Sequence, residues 1–244
     1  MKDAVVIIPT YNEIENIEAI IKAVFSQSGN IHILVVDDNS PDGTADKVKE
    51  LQTNFEGRLH IKERQEKAGL GTAYILGFKW CLVRKYQYIF EMDADFSHNP
   101  KDLKKLYEAC AKGGADVSIG SRYITGVNVV NWPISRVLMS YVASKYVRLI
   151  TGMKINDTTA GFVCYKRSVL ETINLRKVKF IGYAFQIEMK FKAYLRGFKI
   201  VEVPVIFTDR TRGESKLSSG IISEAVFGVI SLKIRSLFNR KDLE

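Results

Sequence analysis

Runs of apolar residues alternate with helical spacings along the first half of the chain. Ala4-Val5-Val6-Ile7-Ile8 is a continuous apolar run closed by Pro9, the pattern of a strand buried on both faces. Asn12 followed by Glu15 reads as a helix start, after which Ile14, Ile17, Ile21, Val24 and Phe25 recur at helical spacing. A second strand, Ile31 to Val36, runs into the turn-rich Asp37-Asp38-Asn39-Ser40-Pro41-Asp42-Gly43, with a helix from Thr44. Leu59 to Ile61 reads as a third strand, and Gly69-Leu70-Gly71-Thr72-Ala73 opens a helix to about Arg84. Tyr88-Ile89-Phe90-Glu91 is a fourth strand, ending in Met92-Asp93-Ala94-Asp95 before a turn and a helix that opens at Pro100. That helix carries Leu103, Leu106, Tyr107 and Cys110 on one face, and Val117 to Gly120 is one more strand.

This alternation predicts an α/β fold, a mostly parallel sheet with helices on both faces, in one continuous domain without repeats. In such a sheet ligands bind beyond the carboxyl ends of the strands. Three strand ends carry acidic or aromatic groups there: Pro9-Thr10-Tyr11-Asn12-Glu13, Asp37-Asp38, and Asp93-Ala94-Asp95. Gathering so many carboxylates on one rim is unfavourable unless cations offset them. Asp93 and Asp95, alternate residues on an extended segment, share a face and suit a hard divalent ion. Taken alone, the pair also fits a helix cap beside a solvated carboxylate.

Composition narrows the class. With 46% hydrophobic and 26% charged residues in 244, the chain is of ordinary globular make-up and long enough for a substantial core. Cys81, Cys110 and Cys164 are odd in number and scattered, which predicts reduced intracellular thiols with neither disulfide nor zinc site. Met1-Lys2-Asp3 leads directly into a strand, so no signal peptide is expected. A net charge of +9, concentrated after residue 120, calls for an anionic partner: nucleic acid, a membrane surface or a phosphorylated substrate. No zinc-finger spacing, RNA-recognition aromatic motif or compact basic run occurs, which sets nucleic acid aside. A dinucleotide fingerprint after the first strand is missing, as is a phosphate loop of the nucleoside-triphosphatase kind.

Two further segments are amphipathic. In Ile134 to Ile150, after Trp132 and Pro133, Arg136, Ser140, Ser144 and Arg148 make a polar stripe opposite Leu138, Met139, Val142, Tyr146, Leu149 and Ile150. The segment 132–150 fits a helix in a membrane interface equally with one packed in the core. Ile221 to Phe238 is apolar on most sides but carries Glu224, Lys233 and Arg235. The eight residues between Glu224 and Lys233 fall short of the roughly 20 that a spanning helix needs, so this segment should lie on a bilayer or against a partner.

The order of Val5-Val6-Ile7-Ile8-Pro9-Thr10-Tyr11-Asn12-Glu13, Val35-Val36-Asp37-Asp38-Asn39-Ser40, Gly69-Leu70-Gly71-Thr72-Ala73, Met92-Asp93-Ala94-Asp95-Phe96-Ser97-His98, Gly120-Ser121-Arg122-Tyr123 and Arg212-Gly213-Glu214-Ser215-Lys216 resembles the family 2 glycosyltransferases. Within them it resembles the dolichol- or polyprenol-phosphate mannose synthases, over residues 4–217. The resemblance implies a GT-A fold, with a catalytic domain over 1–217 and a C-terminal amphipathic helix and basic tail over 218–244. It also implies GDP-mannose as donor, Mg²⁺ or Mn²⁺, and inverting transfer of mannose to a polyprenyl phosphate.

Carried over, Pro9, Tyr11 and Glu13 would hold the guanosine, with Val36 and Asp38 beside base and ribose. Asp93, Ala94 and Asp95 would face the donor, Asp93, Asp95 and Ser97 being the metal ligands. Arg122, Arg210 and Lys216 would complete the donor site, Asp95, Arg122 and Arg210 being catalytic, while Arg136 and Ser140 would take the acceptor phosphate. Glu188 occupies the place of a base in relatives that act on sugar hydroxyls; here it is expected to orient the sugar or pair with a cation. His98 is expected to be a turn residue and no catalyst. Relatives moving glucose or other hexoses onto lipid phosphates share most of these motifs, and a non-catalytic lipid- or nucleotide-binding module is the alternative from another class. Lacking the C-terminal membrane helices of some relatives, the chain resembles the type on the cytoplasmic face of a membrane, peripheral or recruited by a membrane subunit.

Overall fold

In a computed structural model describing residues 1–182, 184–209 and 219–238, seven strands form one sheet. They are β1 (Ala4–Thr10), β2 (Ile31–Asp37), β3 (Leu59–Glu63), β4 (Tyr88–Glu91), β5 (Val117–Ser121), β7 (Val163–Lys166) and β8 (Ile200–Pro204), in the order β3-β2-β1-β4-β7-β5-β8. A small ribbon pairs β6 (Val129–Val130) with β9 (Phe207–Thr208). The helices are α1 (Ile14–Phe25), α2 (Thr44–Gln52), α3 (Leu70–Val83), α4 (Leu103–Ala111), α5 (Ile134–Thr151), α6 (Arg167–Thr172), α7 (Ala184–Leu195) and α8 (Ser219–Phe238).

Side chains alternating along β1 feed two cores. Val5 and Ile7 pack with α3 and α7 on one face; Ala4, Val6 and Ile8 pack with α1 and α4 on the other. The parallel β1–β2–β3 and β1–β4 pairs are those the hydrophobic runs predict. Three details differ. The first strand does not stop at Pro9: β1 stays in register with β2 through Thr10 opposite Asp37, whereas its pairing with β4 ends at Ile7. Beyond that point no β4 neighbour is left to need the N–H that proline lacks. The start of α1 uses other groups than Asn12 and Glu15: the Ile14 N–H donates to Asp42 Oδ2 (3.0 Å) and the Glu13 N–H to Thr44 Oγ1 (3.0 Å). Finally, β7 enters antiparallel between β4 and β5, a long-range pairing with no local signature.

The three cysteines are free and buried. On the far side of the sheet α8 lies against α5 and α7, with Val229 and Leu232 buried. The approach is close because a β-carbon on Gly228 would stand 2.5 Å from the Phe180 ring, and one on Gly71 would stand 2.7 Å from the Phe180 carbonyl oxygen. Glycines on two helices thus clamp the loop that leads into α7. No helix among the described residues is long and apolar enough to cross a membrane.

Candidate active site

The three loops at the carboxyl ends of β1, β2 and β4 share a rim, because those strands are neighbours in register. Each loop holds a non-glycine residue in the left-handed region: Asn12 (φ +58°), Asn39 (φ +58°) and Phe96 (φ +61°). Such conformations cost energy and persist where the surroundings enforce them. Asp37 is the pin of the β2 loop. It is fully buried and accepts hydrogen bonds from Thr10 Oγ1 (2.7 Å), Ser40 Oγ (2.7 Å) and the Ser40 N–H (2.9 Å).

Asp38 stays at the rim, tied to Arg64, whose guanidinium also reaches Thr72 Oγ1 and the Gly69 carbonyl. Burial raises the Asp38 carboxyl above the ordinary range, opposed by Arg64. Tyr11 lies under the Lys67 ammonium, 4.4 Å from the ring centre, and Glu13 accepts from Asn16 Nδ2 at 3.0 Å. Pro9 is half-buried beside them. Val36 departs from the expectation: its side chain is fully buried in the core, where a strand paired on both edges puts it. Arg64 and Lys67, both cations on this rim, lie in the loop before the Gly69–Ala73 motif, where nothing in the local pattern marks them as facing the rim.

Asp93 and Asp95 leave the end of β4 into a cavity of about 570 Å³ whose walls include Ser97, Arg122, Arg136 and Ser140. Ala94 between them is buried. Asp95 Oδ1 accepts from the Ser97 N–H (3.0 Å), which makes it the pin of its own turn and not the cap of the next helix; Asn99 caps that start, accepting from the Lys101 N–H (3.1 Å). The segment Pro100–Asp102 is a 3-10 turn before α4 proper.

His98 is buried, stacked on Phe162 with ring centres 4.9 Å apart, and its Nδ1 accepts from the Asp93 N–H (3.1 Å). Burial pushes its pKa down to about 4, so it is a neutral brace for the Asp93 loop. Ser97 Oγ is buried and has no hydrogen-bond partner among the described residues. Two carboxylates with a spare hydroxyl form a hard oxygen donor set that fits Mg²⁺ or Mn²⁺. No group of three or more His, Cys, Asp or Glu side chains converges among the described residues, so a cation held here would take its other ligands from elsewhere.

Arg122 is nearly buried at the opposite wall. Its Nε and Nη2 donate to Asp157 Oδ2 (2.7 Å) and Oδ1 (2.6 Å), and Nη2 also to Thr159 Oγ1 (2.9 Å), leaving Nη1 without a partner among the described residues. Rings of Tyr123, Trp132 and Phe207 surround the guanidinium with centres 5.3–5.5 Å away. Burial opposes the charge on both partners, yet each holds the other ionised, raising Arg122 and lowering Asp157. Glu202 of β8 fixes that carboxylate's loop, accepting from the N–H groups of Asn156 (2.8 Å) and Asp157 (2.9 Å). Asp157 and Glu202 carry no sequence signal, since they lie 35 and 80 residues from Arg122 and meet it only through the pairing of β5 with β7 and β8.

Arg136 reaches the same cavity from α5, its guanidinium 4.1 Å from the Trp132 ring centre and Nη1 2.7 Å from Asp209 Oδ1. Glu188 stays out of it. Fully buried, it accepts from the N–H groups of Lys179 (2.9 Å) and Phe180 (3.0 Å) and pairs with Lys192 (3.2 Å), the cation-pairing alternative. Gln186, two residues earlier and so on the opposite face of the helix, lines the cavity wall. Arg210 and Lys216, expected at the donor, lie outside the described residues.

Helix α5 is amphipathic. The polar stripe points inward: Ser144 is buried, Arg148 donates to Asn156 Oδ1 (2.9 Å), and Arg136 and Ser140 line the cavity. The apolar stripe is divided: Leu138, Val142 and Leu149 are exposed, the last at 82%, Met139, Val142 and Tyr146 border the cavity, and Tyr146 and Ile150 pack against the core. On α8, Phe227 is 72% exposed, with Ile234, Leu237 and Phe238 beside it. Tyr146 Oη donating to the Val226 carbonyl (2.9 Å) and Lys233 Nζ reaching the Thr151 carbonyl (3.3 Å) join the two helices into one surface.

Residues 5–173 match the family described as "Glycosyl transferase family 2". The chain is 48% identical over 235 residues to the polyprenol monophosphomannose synthase of Mycolicibacterium smegmatis, covering 96% of this chain and 88% of the relative. It is 44% identical to the undecaprenyl-phosphate mannosyltransferase of Micrococcus luteus, covering 91% and 90%. Among solved structures, glucosyl-3-phosphoglycerate synthase from Mycobacterium tuberculosis in complex with Mn²⁺, UDP-glucose and phosphoglyceric acid superposes with a TM-score of 0.67 at 16% identity, over 94% of this chain and 79% of that one. That likeness establishes the shared GT-A architecture. The chain is therefore a glycosyltransferase and belongs to family 2.

Proposed function

We propose that this protein transfers mannose from GDP-mannose to a polyprenyl phosphate, with inversion at the anomeric carbon. One observation carries the reading: the acidic turn of β4 and the basic groups Arg122 and Arg136 face one cavity, whose apolar wall continues onto the exposed faces of α5 and α8. A nucleotide sugar suits the acidic end with its cation, and a lipid phosphate suits the basic, apolar end.

The chemistry asks little of the protein in proton transfer. A phosphate monoester is already anionic at pH 7, so no general base is needed to make the nucleophile, in keeping with a neutral His98 and a committed Glu188. Bringing two polyanions together is the harder task, and positioned cations meet it. Asp93, Asp95 and Ser97 would hold Mg²⁺ or Mn²⁺, which when bound supplies charge neutralisation for the departing diphosphate. Arg122, held rigidly by Asp157, presents Nη1 to an anionic oxygen; a hydrogen bond to a charged group contributes about 1.5–3 kcal/mol. Tyr11, Glu13 and Asp38 would receive the guanosine, and Arg136 and Ser140 the acceptor phosphate. Residues 1–217 form the catalytic unit in this reading, with the C-terminal helix as part of its lipid-facing side.

The exposed part of the apolar stripe supports attachment at the cytoplasmic face of a membrane. Each large side chain removed from water gains about 1.5–3 kcal/mol, and the net charge of +9 favours anionic lipid. A membrane subunit is a second occupant for the same surface. A panel of nucleotide sugars assayed with polyprenyl phosphate tests the reading directly. Mannosyl transfer from GDP-mannose, dependent on Mg²⁺ or Mn²⁺, is expected; preference for a glucosyl donor would reassign the sugar.

A further inference from the structure

The cavity wall contains hydrogen-bonding capacity that the protein does not use. Gln186, in the first turn of α7, is 1% exposed and stands beside Asp93, Asp95 and Arg122 on that wall. Neither its Oε1 nor its Nε2 has a hydrogen-bond partner among the described residues. A buried polar group left unpaired costs about 1–3 kcal/mol, so a native protein leaves one only where something else completes it.

The groups behind Gln186 hold it in place. Lys190, one turn on and fully buried, donates to the Gln186 main-chain carbonyl (3.2 Å) and to the Ala160 carbonyl (2.5 Å), fixing the helix turn against the loop that leads into β7. Glu91, at the end of β4, is fully buried beside the Gln186 amide, close enough for that amide to favour its ionised form, although the pair does not reach full hydrogen-bond geometry. In front stands Gly161, where a β-carbon would lie 3.8 Å from Gln186 Nε2 and 3.7 Å from His98 Cε1. The amide is therefore backed by the buried, titratable pair Glu91 and Lys190 and faced by a residue without a side chain.

A carboxamide carries one acceptor and one donor side by side. Of the groups that meet in this cavity, a diphosphate and a lipid phosphate offer only acceptors to bind, and cations already serve them. The hexose offers neighbouring hydroxyls, each both donor and acceptor. We propose that Gln186 reads the transferred hexose, its amide spanning a neighbouring pair of sugar hydroxyls, and that Glu91 and Lys190 are positioning residues that act through it. This rests on the reading of the chain as a hexosyltransferase and assigns the sugar-recognising group within it.

The test pairs two donors that differ at one sugar carbon on the same nucleotide: GDP-mannose and GDP-glucose, or, should the wild type use another nucleotide sugar, that donor and its epimer. Gln186→Met keeps the shape and removes both polar atoms; Gln186→Glu keeps the acceptor and removes the donor. For Gln186→Met, kcat/KM with the preferred donor is expected to fall about 100-fold and the ratio between epimers to narrow at least tenfold. Binding of GDP with Mg²⁺ should stay within about threefold of wild type, which shows that the rim is intact. Lys190→Met should narrow the epimer ratio in the same direction, a change that a purely structural role would not produce. An epimer ratio unchanged in Gln186→Met would overturn the inference while leaving the enzyme's function standing. Failure of the wild type to transfer any sugar would overturn that function, and this inference with it.

Discussion

The two sides of the cavity are built on opposite plans. The donor rim gathers short loops at neighbouring strand ends, pinned by local hydrogen bonds such as those of Asp37 to Thr10 and Ser40 and of Asp95 to Ser97. The opposite side is made of helices α5 and α8, which place Arg136 and Ser140 at the cavity and leave Leu138, Leu149 and Phe227 exposed. On the first side the core is beneath the loops and the polar groups face a ligand, as in any soluble α/β protein. On the second, a few polar groups such as Arg136 and Ser140 face a cavity whose wall is largely apolar, and leucines and phenylalanines are exposed on the outer faces. Amphipathic spacing is identical in both cases, so spacing tells that a helix has two faces but not which one meets water.

Experiments on each side sharpen this contrast. The largest effect is expected at the acidic turn: Asp95→Ala should lower transfer at least about 1,000-fold with the melting temperature nearly unchanged, because the side chain is half-exposed. Transfer that survives the change at full rate would remove the donor rim from the chemistry. Next is the double variant Leu138→Glu with Phe227→Glu, which should abolish pelleting with anionic liposomes while leaving transfer to a short, water-soluble prenyl phosphate within about threefold. Equal pelleting by variant and wild type would show that these faces do not meet lipid.

Smaller is the effect of Asp209→Asn. The Asp209 carboxylate occupies the fork of Arg136, so its neutralisation should tighten binding of a prenyl phosphate about three- to tenfold, measured by titration without donor. Weaker binding would mean that Asp209 holds Arg136 in its working position.

The smallest concerns the foot of the sheet below the donor rim, where His32 and His60 face each other (Nδ1 to Nε2, 3.4 Å) and Tyr86 Oη is 2.9 Å from His32 Nδ1. Burial first, and then Arg58 for His32 or the neighbouring His32 and Arg84 for His60, hold both imidazoles below their ordinary pKa. Above the unfolded value near 6.5 both states are neutral and this stability is fully present; below it the unfolded chain takes up protons first, and stability falls. Thermal melts from pH 7.5 to 5 should show a shallower acid loss in His60→Gln than in wild type. Identical slopes would assign the acid sensitivity elsewhere.

Much of the donor half is legible in the chain. The runs that become β1, β2 and β4 are short, continuous and apolar, and their ends carry the groups that reach the rim, because a parallel sheet puts successive strand ends together. Pairings across long separations are not legible. The insertion of β7 between β4 and β5, the Asp157 carboxylate under Arg122 and the Glu202 that holds its loop depend on residues far apart in sequence. Val36 illustrates the limit within a motif: its place in the order is right, but pairing on both edges of β2 buries its side chain.

By itself, then, the order of residues determined the parallel half of the sheet, the acidic turn at Asp93 and Asp95, and the two-faced character of the helices that follow. These rest on local periodicity and on backbone preferences that act within a few residues. Only the tertiary structure decided that Glu188 pairs with Lys192 while Gln186 faces the cavity, and that Leu138 and Leu149 of α5 are exposed. The orientation of a helix about its own axis is set by what it packs against, and for α5 that is Asn156, Asp209 and α8, groups whose position no local pattern encodes.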